Sequence, residues 1–108
     1  MRKASALFPV LAVLIVSGCI GDQQTAASDA ETAKAACVDL CGRALNAAQD
    51  LSSGPCLSNE VIAGWVCDVA HMPRTSVDDD SANQCSAYGN TAQHFVEVDE
   101  DCTFIRGV

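Results

Sequence analysis

The division of the seven cysteines constrains this chain more than any other feature. Cys19 closes an apolar leader, and the others are spread over the rest of the chain. An odd count in an exported protein normally leaves one thiol to be explained. If Cys19 is set apart, an even set of six remains for disulfide bonds. These six are Cys37, Cys41, Cys56, Cys67, Cys85 and Cys102.

The first eighteen residues have the pattern of an export signal. Arg2 and Lys3 form a basic start, an apolar run follows over residues 4–16, and Ser17-Gly18 supply the small residues of a cleavage site. The apolar stretch is shorter than the ~20 residues of an unstrained membrane span, and it contains Pro9. A cleaved signal peptide over residues 1–18 is therefore favoured over a permanent membrane anchor.

Val16, Ser17, Gly18 and Cys19 resemble the lipobox of prokaryotic lipoprotein precursors. The resemblance implies cleavage before Cys19 and a lipid on its sulfur. Because a lipid chain gains ~0.8 kcal/mol per buried methylene, such an anchor would hold the protein at a membrane, facing outside the cytoplasm. The alternative is an ordinary secretory signal that ends in Gly-Cys.

The mature chain is predicted to be strongly acidic. Removal of residues 1–18 leaves 4 of the 6 basic residues and all 14 acidic ones, a formal charge of −10. Nucleic acid is therefore not expected as a partner. Residues 19–27 are polar and lack apolar periodicity, which predicts a flexible tether, and residues 28–108 are predicted to fold.

The folding segment is small enough to need covalent support. At roughly 80 residues one hydrophobic core supplies only ~3–5 kcal/mol, whereas each disulfide contributes ~2–4 kcal/mol. Three disulfides are expected, and the sequence leaves all fifteen possible pairings open.

One long helix is predicted near the start of this segment. Ser28 and Glu31 have capping-box spacing, and apolar residues then recur every three or four positions. Gly54 and Pro55 are expected to end the helix. Cys37 and Cys41 lie one turn apart on the same face, so each is predicted to bond to a different segment.

Strands are predicted at residues 65–70, 94–98 and 102–105, with a turn at Asp99-Glu100-Asp101. Alternation in the first strand places Trp65, Cys67 and Val69 on one face, so Asp68 is either exposed or specially paired. Short helical segments are predicted after Asn59 and over residues 81–88. The fold class is α+β: a long N-terminal helix packed on a two- or three-stranded antiparallel sheet.

The cysteine-rich segment also resembles small uncharacterised exported proteins of archaea. Three stretches carry the resemblance: Gly54-Pro55-Cys56-Leu57-Ser58-Asn59, Trp65-Val66-Cys67-Asp68-Val69-Ala70-His71 and His94-Phe95-Val96-Glu97-Val98. The resemblance implies export and this kind of fold, and it brings no known activity.

Two groups of residues have the chemistry of metal ligands. Cys37, Cys41, Cys67 and His71 form a Cys3His set that suits zinc, but export to an oxidising compartment favours disulfides. Asp78-Asp79-Asp80 offers oxygen ligands for calcium, but the EF-hand glycine and glutamate positions hold Asn83 and Gly89. A solvated acidic loop is the favoured interpretation, and neither a metal nor a cofactor is predicted.

Asp68, His71 and His94 are the residues most like an acid/base set, because a carboxylate can orient a histidine for proton transfer. The sequence lacks a recognisable nucleophile motif, so no catalytic residue is assigned. Trp65 and Tyr88 are candidates for an aromatic patch that contacts a partner. For Trp65, which lies among valines, packing in the core is the favoured interpretation.

The sequence predicts a membrane-anchored lipoprotein that serves binding or envelope structure. The alternative is a small exported enzyme or metal-dependent module centred on Asp68, His71 and His94.

Overall fold

The computed structural model describes residues 26–108, which form a small α+β domain with one helix, a four-stranded mixed sheet and three disulfides. The predicted lipobox and lipid attachment at Cys19 lie outside the described residues, as does most of the predicted tether. The elements in chain order are α1 (Ala26–Asn46), β1 (Cys56–Ile62), β2 (Trp65–Val69), two 3₁₀ turns (Ser76–Asp79 and Ser81–Asn83), β3 (His94–Val98) and β4 (Phe104–Gly107).

Helix α1 buries one face and ends earlier than predicted. Its buried residues are Ala33, Cys37, Cys41 and Ala44, which recur every three or four positions. Ala48 takes the left-handed conformation (φ 62°), and its N–H and that of Gln49 donate to the carbonyls of Leu45 and Ala44 at 2.9 and 3.0 Å. These bonds terminate the helix after Asn46. The prediction that Gly54 and Pro55 end it is wrong because a non-glycine residue supplies the cap.

The sheet has the strand order β1-β2-β3-β4, with β2 and β3 parallel and the two outer pairs antiparallel. The prediction of an antiparallel sheet of two or three strands is therefore confirmed only in part: the two outer pairs are antiparallel, but the sheet has four strands and its central pair is parallel. Strand β1 replaces the helical turn predicted after Asn59. Its polar residues 58–60 lie on an edge strand whose pairing with β2 is interrupted by register shifts, so it lacks a clear alternating pattern.

The parallel pair follows from the long connection between β2 and β3. Residues 70–93 carry the chain back, so that β3 starts beside the beginning of β2, with His94 opposite Trp65. Two short 3₁₀ turns occupy this connection, and the second, Ser81–Asn83, is shorter than the helix predicted over residues 81–88. The predicted hairpin between β3 and β4 is confirmed.

The two faces of the sheet have different surroundings. Trp65, Cys67 and Val69 of β2 pack with α1, as do Val96 and Val98 of β3. This confirms the predicted alternation in β2 and the prediction that Trp65 belongs to the core. The opposite face, which we call the helix-free face, carries alternate residues of the same strands and is covered by the connection between them.

The six cysteines form three disulfides: Cys37–Cys67, Cys41–Cys102 and Cys56–Cys85. The first two fasten α1 to β2 and to the end of the β3–β4 turn, which confirms that the helical cysteines bond to different segments. The disulfides indicate an oxidising, extracytoplasmic environment. Within residues 26–108, no helix combines the length and hydropathy needed to cross a membrane.

Candidate ligand-binding cleft

Four strands contribute one residue each to a row across the helix-free face. The register pairs Cys56 with Asp68, Asp68 with Glu97, and Glu97 with Arg106. Because paired residues in adjacent strands point to the same face, the four side chains are neighbours. We call these four residues the cross-sheet row.

The connection between β2 and β3 encloses the cross-sheet row on one side. Cys85 anchors this connection through its disulfide with Cys56, and Tyr88 lies edge-on to Phe95 with ring centroids 5.3 Å apart. The result is a cleft of about 220 Å³. It is lined by Val66, Asp68, Arg74, Gln84, Cys85, Tyr88, Phe95, Glu97 and Arg106.

Glu97 is a buried carboxylate whose two oxygens are both satisfied. Its Oε1 accepts a hydrogen bond from Arg106 Nε at 2.8 Å, and its Oε2 accepts one from Arg74 Nη1 at 3.1 Å. The side chain of Glu97 is 8% exposed, whereas those of Arg74 and Arg106 are 39% and 57% exposed. Two partly solvated cations thus balance one buried anion in the middle of the sheet.

Asp68 lies beside Glu97 but lacks comparable hydrogen bonds from arginine side chains. Its Oδ1 is the one buried side-chain oxygen or nitrogen, within the part of the chain that the structure describes, that lacks a hydrogen-bond partner. The pKa of Asp68 is raised to about 7: burial is the largest cause, the negative charge of Glu97 acts in the same direction, and the Arg74 guanidinium opposes both. Near neutral pH the cleft therefore holds a carboxyl group poised between its neutral and charged forms.

A third acidic side chain, that of Asp78, organises the loop that leads into the cleft. Its Oδ2 accepts hydrogen bonds from the backbone N–H groups of His71 and Thr75 at 3.0 and 2.9 Å, and its Oδ1 lies 2.9 Å from His71 Nδ1. Burial acts to raise the pKa of Asp78, but the hydrogen bonds from Thr75 and His71 lower it below its usual value. The same contact raises the pKa of His71, with burial opposing and Glu100 assisting.

This arrangement corrects the prediction of a solvated acidic loop. Asp79 and Asp80 are exposed as predicted, but Asp78 is only 3% exposed. Gly54 lies directly against it: a Cβ at this position would come within 2.7 Å of Asp78 Oδ1 and 3.0 Å of the Val69 carbonyl, and the φ of 71° also favours glycine. Gly54 therefore serves close packing rather than helix capping.

Arg74 connects this loop to the cross-sheet row. Its Nε donates to Asp79 at 2.9 Å and its Nη2 to the Asp78 carbonyl at 3.3 Å, while Nη1 reaches Glu97. These contacts raise the already high pKa of Arg74, through the hydrogen bond to Asp79 above all. The position of one wall of the cleft therefore depends on the loop built around Asp78.

The three residues of the predicted acid/base set are not brought together. Asp68 is in the cleft, His71 binds Asp78, and His94 stacks on Trp65 with ring centroids 4.6 Å apart. His94 and Asp68 are three residues out of register, roughly 10 Å along the strands, and they face opposite sides of the sheet. Their placement gives the enzyme alternative no support, and that alternative stays a prediction.

The residues proposed as metal ligands have other partners. Cys37, Cys41 and Cys67 of the zinc alternative are in disulfide bonds and offer no thiolate. The buried carboxylate of Asp78 accepts hydrogen bonds from protein donors rather than facing an open calcium site. Residues 29–108 contain no group of three or more acidic, histidine or cysteine side chains arranged to hold a metal ion.

Sequence reasoning found Asp68 but missed Glu97, Arg74 and Arg106. A signal was present for Glu97, since alternation around Val96 and Val98 places it on the opposite face from the core. Its position opposite Asp68 depends on the parallel pairing of β2 with β3, which local patterns do not indicate. Comparison of the chain with protein-family models, with curated proteins and with solved structures found no significant match.

Proposed function

We propose that this protein is an extracytoplasmic binding module whose ligand occupies the cleft on the helix-free face. The observation that carries the proposal is the buried, unpartnered Oδ1 of Asp68. A buried polar atom without a partner is costly, and a ligand that donates a hydrogen bond to it removes that cost. Tyr88 and Phe95 supply apolar surface beside it, so the cleft combines one polar anchor with an aromatic wall.

The frame around the cleft suits a preformed site. The Cys56–Cys85 disulfide joins the outer strand to the covering connection, and Glu97 is held by two arginines on opposite sides. Side chains fixed in this way lose little further entropy when a ligand binds, which favours affinity.

Small ligands are expected to bind in the cleft rather than elsewhere on the domain. In a screen of fragments against the oxidised protein by two-dimensional NMR, the largest shifts are expected at Asp68, Tyr88 and Phe95. The internal control is the groove on α1 that contains Lys34 and Val38, which has no buried side-chain oxygen or nitrogen without a partner. Fragments that prefer the helix groove, or that shift no residue of the cleft, would contradict a binding function for this site.

We further propose that the module is anchored to a membrane by lipid on Cys19. The export-signal pattern and the lipobox resemblance support this, and the disulfides agree with export. The seven residue steps from Cys19 to the start of α1 span at most about 25 Å. The domain would therefore be displayed close to the membrane surface.

Replacing Cys19 by serine is expected to abolish lipid attachment, because a hydroxyl does not form the thioether. The variant should leave the membrane fraction or keep its leader, whereas Ser17→Ala, which keeps a small residue before Gly18, should behave like the wild type. Mass spectrometry of the membrane fraction is the measurement. An unmodified Cys19 in the wild-type protein, or a retained leader, would refute anchoring and leave the cleft proposal intact.

A further inference from the structure

The two carboxyl groups of the cleft, those of Asp68 and Glu97, differ in the hydrogen bonds that they accept. Both oxygens of Glu97 accept from arginines, whereas Asp68 Oδ1 accepts from none. Arg74, whose positive charge acts on Asp68, directs its three nitrogens to Glu97, Asp79 and the Asp78 carbonyl. Asp68 is therefore a buried acceptor beside cations that are already engaged, and the group it lacks is a donor.

The wall next to Asp68 suits a positive charge. Tyr88 and Phe95 present two aromatic rings at right angles, and the Arg106 guanidinium already lies over the Phe95 ring, 5.5 Å from its centroid. Aromatic faces attract cations through their quadrupole, most strongly where water is partly excluded. Because Arg106 already takes the Phe95 ring, a cation held by Asp68 would gain from the carboxylate and from the Tyr88 ring, while Phe95 supplies apolar surface for its stem.

The charge and the volume of the cleft limit the class of ligand that it can bind. Arg74 and Arg106 pair with Glu97, and Arg74 also binds Asp79, so the local charge becomes negative once Asp68 ionises. The strongly acidic chain adds a long-range field that attracts cations. A volume of about 220 Å³ lies below the ~300–1,000 Å³ of sites for drug-sized molecules, so the occupant is small.

We propose that the cleft binds a primary ammonium group carried on a short apolar or aromatic stem, with the ammonium against Asp68 and the stem against Tyr88 and Phe95. This inference rests on the proposed binding function of the cleft. The competing ligand class, a small anion on the arginines, is disfavoured because Glu97 and Asp79 already occupy them.

The test compares three probes of nearly equal shape on the oxidised protein: 2-phenylethylamine, the neutral 2-phenylethanol and the anion 3-phenylpropanoate. The amine is expected to bind at least tenfold more tightly than either of the others, with NMR shifts at Asp68 and Tyr88. Asp68→Asn should abolish this preference. Glu60→Gln, which removes the same charge from an exposed position on β1, should leave it unchanged.

Amine binding is also expected to tighten about tenfold between pH 6 and pH 8, because Asp68 ionises near pH 7 while the amine stays charged. The charged groups around Asp68 are Glu97, Arg74, Asp78 and Arg106. Binding of 2-phenylethanol should not follow this profile, and the profile should be absent in Asp68→Asn.

The outcomes separate the two proposals. If the neutral or anionic probe binds in the cleft as well as the amine does, the ammonium inference is wrong and the binding function stands. If no probe perturbs the cleft, both are wrong. A further arm with Nα-acetyl-lysine methyl ester distinguishes the source: tighter binding than 2-phenylethylamine indicates a lysine side chain of a peptide, and weaker binding indicates a free amine, either of which supports ammonium recognition.

Discussion

Replacement of both Cys37 and Cys67 by alanine is expected to lower the free energy of unfolding by about 5 kcal/mol. About 4 kcal/mol comes from the entropy that the unfolded chain regains when a loop with a sequence separation of 30 is opened. Roughly 1 kcal/mol more comes from the space left by two fully buried sulfurs in the core between α1 and β2. Because small domains have total stabilities of about 5–15 kcal/mol, the variant should unfold near physiological temperature.

The chain provides a matched control in Cys56 and Cys85. Their disulfide closes a loop of nearly the same length, with a sequence separation of 29, so its removal has the same effect on the unfolded chain. It lies on the helix-free face, and its loss should cost about 4 kcal/mol and leave α1 in place. Urea unfolding without reductant, followed by fluorescence of the single tryptophan, Trp65, measures both variants. Equal losses, or a larger loss for the control, would contradict the role assigned to the helix-side bond.

Asp78→Ala is expected to cost about 3 kcal/mol, because it leaves the backbone N–H groups of His71 and Thr75 without their acceptor. Asp79→Ala is the control: it removes the neighbouring carboxylate, which is 67% exposed and pairs with the part-exposed Arg74, and should cost less than about 1 kcal/mol. Thermal unfolding followed by circular dichroism compares the two. Similar losses in both variants would show that the buried position of Asp78 does not matter.

The cost of Asp78→Ala should also depend on pH. Because the pKa of Asp78 is lowered in the folded protein, its ionised form stabilises the fold above about pH 3.8, the ordinary pKa of the group. This stability is lost as the pH falls through the pKa of the folded state. Because the pKa of His71 is raised in the folded protein, its protonated form stabilises the fold below about pH 6.5, the ordinary pKa of the group. This stability is lost as the pH rises through the pKa of the folded state. The difference between wild type and variant is therefore largest between pH 4 and pH 6.5, and a difference that does not vary with pH would contradict the ion pair.

The parts of the fold that were predicted correctly depend on local patterns. Spacing of three and four placed Cys37 and Cys41 on one helix face, and alternation placed Trp65 in the core and Asp68 on the other side of the sheet. These patterns persist because burial of one face dominates the choice of residues there. The same reasoning correctly predicted that the helix is fastened at two points.

The parts that were missed depend on contacts between distant segments. Strand β1 gains its structure by pairing with β2, although its own residues 58–60 are polar. The direction of β3 depends on the path of residues 70–93, and the burial of Asp78 depends on Gly54 and Val69, which lie well before it in the chain. A run of three aspartates is normally solvated, so composition alone favoured the wrong environment for its first member.

The separation of the two sheet faces has a consequence for how this domain can change during evolution. The helix-side core contains residues of α1 and of all four strands, but among the described residues it contains none from the connection at 70–93. Substitutions at Gln84 and Tyr88, two exposed residues of that connection that line the cleft, can therefore alter its lining while the helix-side packing stays the same. New ligand preferences can arise at these positions with little loss of stability, whereas Asp78 and the Cys56–Cys85 disulfide hold the connection itself in place.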